Sequence, residues 1–391
     1  METTDAFEGL SCRDCGERVA PAVAGGRCPD CGGLLDPTYD LGAIDTDRER
    51  FDAGGAMWRY GALLPVPRAG AVTMAEGDTP AVPCPGLADE LGVDRLVVKD
   101  EGRNPTGSIR DRELSVAVTV AAANGAETVA LPSTGDAGQS AAAYAARAGL
   151  DSQAFLPSRA NFTAKAMVNV HGGEMSVVEG RYDDAADAFA DALAGEPWHS
   201  VAPATPYRAE GAKTLLFELI GDLGKAPDAV VVPAAHGLAL LGTYRGARAF
   251  ERLGLIDAVP ALYAAQPSGC APLVEAFESG GDPVPVEHPD TICGALEVPD
   301  PDLGPAALDA IEASGGGAVA VDDDAILEAA TATAARAGLE PGVACGAAVA
   351  GVETLADRGD VGPDDAVVAV NTATGNKEAD VLRSHLMSKG I

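Results

Sequence analysis

Glu127-Thr128-Val129-Ala130-Leu131-Pro132 is a short β-forming run closed by a proline, and behind the polar turn Ser133-Thr134-Gly135-Asp136 lies an alanine-rich stretch, 141–148. A strand that stops at Pro and gives way within a few residues to a helical pattern is half of a βα unit. Working outward, 152–156 and 175–178 read as further strands, with helices over 161–170 and, strongly acidic, 183–194. The series resumes with a helix over 209–223, a strand at 229–233, a helix over 238–253, strands at 261–266 and 367–370. Strands separated by helical crossovers imply parallel sheets covered on both faces, an α/β class whose ligands lie off the carboxyl ends of the strands. Residues 279–304, rich in Gly, Pro and Asp, read as a surface excursion, and Gly315-Gly316-Gly317 as a turn before a strand. Asp322-Asp323-Asp324 precedes an apolar-periodic stretch and reads as a helix N-terminal cluster. No internal repeat is visible.

The chain has 391 residues, 47% hydrophobic and 22% charged, enough for two or three domains with proper cores. Its formal net charge is -32, which excludes a surface built to neutralise phosphates; nucleic acid and anionic membranes are not expected partners. No apolar run is long enough to span a bilayer, and the opening Met1-Glu2-Thr3-Thr4-Asp5 is acidic where a secretory signal would be basic and then apolar. A soluble cytoplasmic protein is expected. Only six of the 27 basic residues are lysines (Lys99, Lys165, Lys213, Lys225, Lys377 and Lys389), and this bias with the acid excess suggests a salt-adapted, halophilic cell.

Cys12, Cys15, Cys28 and Cys31 form two C-x2-C knuckles, whereas Cys84, Cys270, Cys293 and Cys345 are scattered singly and read as buried small hydrophobes. Four thiolates at that spacing suit a tetrahedral zinc ion, and a segment of about 40 residues has too little core to fold without such a staple. The rival, a pair of disulfides, is disfavoured by a cytoplasmic setting. A closed four-sulfur site leaves no position for substrate, so its role is structural. No G-x-S-x-G, H-E-x-x-H or Walker-type phosphate loop occurs, and the five histidines show no metal spacing.

From Lys99 the chain reads Lys-Asp-Glu-Gly-Arg-Asn-Pro-Thr-Gly-Ser-Ile-Arg-Asp-Arg, ending at Arg112. Together with the amino-terminal ribbon, Trp58-Arg59-Tyr60, Glu76-Gly77-Asp78-Thr79-Pro80, Ser133-Thr134-Gly135, Glu340-Pro341 and Thr374-Gly375, in that order, it resembles archaeal-type threonine synthase over nearly the whole chain. That resemblance implies a tryptophan synthase β-like fold (fold type II) with pyridoxal phosphate (PLP) as cofactor. It implies two doubly wound parallel-sheet domains behind a small zinc ribbon: 1–40 the ribbon, 41–205 a part that includes the smaller α/β domain, and 206–391 the larger one. The family reaction converts O-phosphohomoserine and water to threonine and phosphate, and relatives are often homodimers.

Residue by residue, the resemblance also marks departures. Where the family places the lysine that forms the imine with PLP, this chain carries Arg110. A guanidinium remains protonated and delocalised and offers no comparable nucleophile. Ser133, Thr134 and Gly135 match the loop expected to receive substrate, but the family's Asn beside the pyridine hydroxyl is Asp136 here. An Asp at a helix N-terminus reads as a cap, and it would repel an incoming carboxylate. The glycine-rich phosphate turn is replaced by Ala234-Ala235-His236-Gly237-Leu238, in which only Gly237 remains of the glycines. Side chains at Ala235 and Leu238 crowd the phosphate volume. His236 reads either as a cationic contact or as a hydrogen-bonded structural residue. Thr374 stands where a hydroxyl would meet the pyridine nitrogen, and Lys99 where relatives keep a lysine near the substrate phosphate. The expectation is a threonine synthase-like chain that keeps the fold, and an anion-gripping Arg110 for a small anionic molecule, but has given up the imine. The alternative is an active PLP enzyme that uses a different amine.

Overall fold

The computed structural model describes residues 1–21, 26–44, 46 and 55–390. Three short antiparallel strands come first, β1 (Phe7–Cys12), β2 (Arg18–Val19) and β3 (Leu35–Tyr39). After β4 (Ala81–Pro83), α1 (Pro85–Leu91) and β5 (Arg95–Asp100), α2 (Arg110–Ala123) leads into β6 (Thr128–Pro132), α3 (Asp136–Ala148), β7 (Asp151–Pro157), α4 (Phe162–Val170), β8 (Glu174–Val178), α5 (Tyr182–Leu193) and β9 (His199–Ser200). Two helices, α6 (Pro206–Ala212) and α7 (Thr214–Leu223), precede β10 (Ala229–Pro233), α8 (Leu238–Arg252), β11 (Ala261–Pro267) and α9 (Pro272–Ser279). The chain closes with α10 (Gly304–Ala313), β12 (Gly317–Val321), α11 (Asp323–Ala337), α12 (Val343–Arg358), β13 (Ala366–Asn371) and α13 (Ala379–Ser388).

Two compact units share these elements, and neither is continuous in sequence. The first comprises Met1–Asp78, Arg110–Glu218 and Arg245–Asp257; the second takes Thr79–Ile109, Leu219–Tyr244 and Ala258–Ile391. The first unit holds the three-stranded ribbon, ordered β2-β1-β3, and an all-parallel sheet ordered β8-β7-β6-β9. The second holds a six-stranded sheet ordered β12-β11-β10-β13-β5-β4, parallel except for the edge strand β4. β10 and β13 are buried along their whole length, as strands covered on both faces must be.

Most strands fall where the alternation places them, but helix boundaries move. The helix expected over 141–148 begins at Asp136, because Gly135, at φ 149°, ends the strand-to-helix turn earlier than apolar periodicity reveals. The single helix expected over 209–223 is two, α6 with Pro206 in its first turn and α7 beginning at Thr214. Asp322 and Asp323 do begin a helix, and the Asp323 carboxylate also accepts from Thr291 Oγ1 (2.6 Å) and Ile292 N (2.8 Å), tying down the 279–304 excursion. The four single cysteines are all buried. Among the described residues, no helix is long and apolar enough to cross a membrane.

Candidate functional site

The four knuckle cysteines meet at the tip of the ribbon, with all four sulfurs within 4.8 Å of one another. Cys12–Cys31 and Cys15–Cys31 are each 3.5 Å apart and Cys15–Cys28 3.7 Å. Sulfurs bonded to one tetrahedral zinc at about 2.3 Å sit roughly 3.8 Å apart, whereas a disulfide needs about 2.05 Å. All four thiols are free, so the disulfide alternative is set aside and the donor set fits a metal ion. The Cys15 backbone N–H is the largest influence in bringing the Cys12 thiol down to about 7. Cys31 is pushed up to about 12: the Gly33 N–H pulls it down most strongly, but the crowded Cys12 and Cys15 thiols outweigh it. A cation among the sulfurs relieves that crowding.

In the first unit, Arg110 is the first residue of α2. Its Nη1 donates to Glu113 Oε1 at 2.6 Å; the Arg110 side chain is 20% exposed and that of Glu113 fully buried. Glu113 Oε2 accepts from Arg208 Nη2 (2.5 Å) and Nε (3.1 Å), and Arg208, on α6, is itself buried. Burial, the largest influence, lowers the Arg208 guanidinium from its ordinary value, and the Glu113 charge opposes that. One carboxylate therefore serves two guanidinium groups. Arg112 is paired separately and bidentately, to Glu218 (2.8 and 2.5 Å). Ser140 Oγ donates to Asp111 Oδ1 at 2.6 Å, which seats the first turn of α2 on the amino-terminal half of α3.

That half of α3 follows β6 through Ser133-Thr134-Gly135. The Ser133 hydroxyl accepts from the backbone N–H groups of Gly135 and Gly138, both at 2.9 Å. The N-cap position expected of Asp136 is thus corrected: Gly135 is the N-cap residue and Asp136 the first helical residue, while the Gly135 and Gly138 N–H groups go to Ser133. Its charge still favours the positive end of the helix dipole. Thr134 is half-buried beside them.

The second unit carries the rest on adjacent strands. β10, β13 and β5 are neighbours running parallel, so the segments after their carboxyl ends, Ala234–Gly237, Thr372–Thr374 and Glu101–Asn104, emerge on one edge of the sheet. Gly237 has φ +84°, and a Cβ there would lie 2.6 Å from that of Ala307. Ala235 and Leu238 are buried and neither has a positive φ. His236 is buried with Nδ1 3.7 Å from an Asp302 carboxylate oxygen, which favours its structural reading. Thr374 N donates to Gly107 O (3.0 Å), and the Thr374 hydroxyl caps the short turn Gly375–Lys377. Lys99 lies within β5 rather than at its end: fully buried, its ammonium donates to Thr79 O (2.5 Å) and faces Asp222 at 3.2 Å. It is held by structural partners.

Two further residues at these positions, Glu113 and Lys377, carry no signal in the sequence. Glu113 looked like one charge among several in Arg-Asp-Arg-Glu, and nothing local marks it as buried. Lys377 is buried in the second unit, and its Cε lies 3.3 Å from where a side chain on Gly107 would begin.

Parallel sheets carrying loops at their carboxyl edges, with a helix-capping serine loop in one unit and a glycine turn in the other, define an α/β protein of the PLP fold type II class. The pyridoxal-phosphate dependent enzyme family matches residues 72–373, and the chain belongs to it. Within that family it is similar to threonine synthase: 37% identical to that of Methanosarcina acetivorans over 367 residues, covering 93% of this chain and 90% of the relative. It is 36% identical to the threonine synthase of Methanocaldococcus jannaschii, covering 90% and 88%. Among solved structures, threonine deaminase isoform 2 from Solanum lycopersicum superposes with a TM-score of 0.67 at 18% identity, covering 86% of this chain and 93% of that one. A PLP-dependent aspartate racemase gives a TM-score of 0.67 at 20% identity, covering 78% and 92%. These two likenesses speak to fold.

The residue at position 110 does not fit the family's cofactor. PLP is anchored through a primary amine, and where the resemblance expects that lysine this chain has the Arg110 guanidinium with a buried counter-ion.

Proposed function

We propose that this chain is a threonine synthase-like protein that has kept the fold and the metal ribbon but not lysine-imine chemistry at position 110. The observation that carries this reading is the Arg110–Glu113–Arg208 cluster: the guanidinium is not a stray substitution but is built into a buried ion network with its own counter-charge. The turn after β10 supports the same reading, since Ala235 and Leu238 add side chains where bare backbone would wrap a phosphate. What Arg110 can do is grip a small carboxylate or phosphate with the donors that Glu113 does not use.

A second reading keeps the enzyme, converting O-phosphohomoserine to threonine with another amine. Lys99 is a poor choice because Thr79 and Asp222 hold it. Lys377 is another buried candidate, with its Cε 3.3 Å from where a side chain on Gly107 would begin.

Incubation with PLP followed by absorbance and by phosphate release from O-phosphohomoserine tests both readings. The first expects neither an imine band nor phosphate. An imine band together with phosphate release overturns it in favour of the second. A homodimer, expected from the resemblance, is read by light scattering on the same sample.

A further inference from the structure

α6 has seven residues, two turns at most, which is too short to hold its place by intrinsic helix stability. Tertiary contacts must position it, and the first unit supplies them from two sides. On one side is the ribbon. Tyr39 Oη, on β3, donates to Glu210 Oε2 at 2.5 Å, the Lys213 ammonium lies 4.1 Å from the centre of the Tyr39 ring and pairs with Glu210, and Arg245 bridges Glu210 to Asp36. Tyr207 Oη donates to Pro21 O at 2.5 Å. The apolar contacts run the same way, since the metal-ligand cysteines Cys12 and Cys28 share one core with Tyr207 and with Val116 and Val120 of α2.

On the other side is the first turn of α2. Arg208 grips Glu113, which grips Arg110. The two backbones also touch directly: a Cβ on Gly211 would lie 1.9 Å from the Arg112 carbonyl oxygen, so only glycine permits this approach. At such a distance α6 cannot shift toward α2 without displacing its first turn.

We propose that the metal-bound ribbon is the positioning element for residue 110: it clamps α6, and α6 holds the Arg110 guanidinium through Arg208 and Glu113. The role follows from the physical chemistry of the parts. A four-cysteine ribbon of about 40 residues depends on its ion for folding. Losing the ion removes one of the supports of a short helix, and the loss reaches Arg110 through the buried Arg208–Glu113 pair and the part-exposed Arg110–Glu113 pair. The clamp sets where residue 110 sits, whether or not an imine forms elsewhere.

The test compares zinc-loaded full-length protein with the same protein stripped by a chelator under reducing conditions. Two readouts are followed by mass spectrometry: amide hydrogen exchange, and modification of Arg110 by phenylglyoxal. Stripping should speed exchange in α6 and in residues 110–113 and raise Arg110 modification several-fold, while α4 and α5, in the same unit, keep their protection. Changes confined to the ribbon would overturn the proposal. Equal loss of protection in α4 and α5 would overturn it too, because the ribbon would then be a general stabiliser. The double variant Asp36→Asn/Tyr39→Phe, with its zinc content confirmed, removes ribbon contacts to Glu210 and Arg245 without touching the thiols. It should give a smaller rise at Arg110, and no rise would count against the clamp.

Discussion

Replacing Glu113 by Gln removes a fully buried charge that faces two guanidinium groups, and the consequences for the two are unequal. Arg110 is 20% exposed at its side chain and can turn toward water, whereas Arg208, at 2%, cannot. Breaking a buried pair while leaving one charge behind costs about 3–5 kcal/mol. For a unit of roughly 200 residues, in which 1 kcal/mol moves the melting temperature about 2–4 °C, the expected fall is about 6–20 °C. Arg110→Met gives the contrast, because Glu113 keeps both contacts to Arg208 and only a part-exposed pair is lost, worth about 0–1 kcal/mol. The double change Glu113→Leu/Arg208→Met, which leaves no buried charge, should recover most of the loss. Thermal and urea unfolding of the four proteins at one fixed high salt concentration measure this. If Glu113→Gln were no more damaging than Arg110→Met, the carboxylate would not be the hub of the cluster and the reading of position 110 would lose its basis.

Three further expectations follow from individual positions. Cys28→Ser, at a buried ligand, should abolish stoichiometric zinc measured by elemental analysis and lower the melting temperature, whereas Cys270→Ser should leave zinc unchanged. Gly237→Ala should cost about 1–3 kcal/mol, read by urea unfolding, because φ +84° is strained for any residue with a Cβ and Ala307 blocks the space. Burial lowers the His199 imidazole below its ordinary 6.5, so the unfolded chain takes up a proton first as pH falls. Its contribution to stability is therefore whole above about pH 6.5 and declines as pH drops toward the folded-state value, and melting temperatures of His199→Phe should show a shallower slope between pH 7.5 and 5.5.

Much of the scaffold is legible from the chain alone, for a physical reason. Strands buried on both faces, such as β6 and β10, are short apolar runs that stop at Pro132 and Pro233, and the crossovers between them force parallel pairing. The ribbon is equally plain, because metal chemistry demands four thiols at narrow spacing. Helix starts are less so: α3 opens in a Ser-Thr-Gly-Asp stretch with no apolar periodicity, and the break after Ala212 interrupts a pattern that continues across it. The discontinuous units are hidden for a further reason, since α7 and α8 each cross a unit boundary without a break in the helix. At the site, the arginine that stands where the resemblance expects a lysine is visible at once, but the counter-ion of Arg110 is not. Glu113 sits in a run of four charged residues that resembles a solvated helix start, and its burial is decided by Arg208, which the fold alone brings to it. The same holds for Lys99, whose commitment to Thr79 and Asp222 is tertiary.

If the chain has given up imine chemistry, none of its six lysines anchors an aldehyde cofactor, and mapping any lysine–PLP bond is the sharpest check. Full-length protein saturated with PLP is treated with borohydride, digested, and searched for a reduced pyridoxyl adduct on each of the six lysines. No stoichiometric adduct is expected. A single lysine fully modified, Lys377 above all, would contradict it.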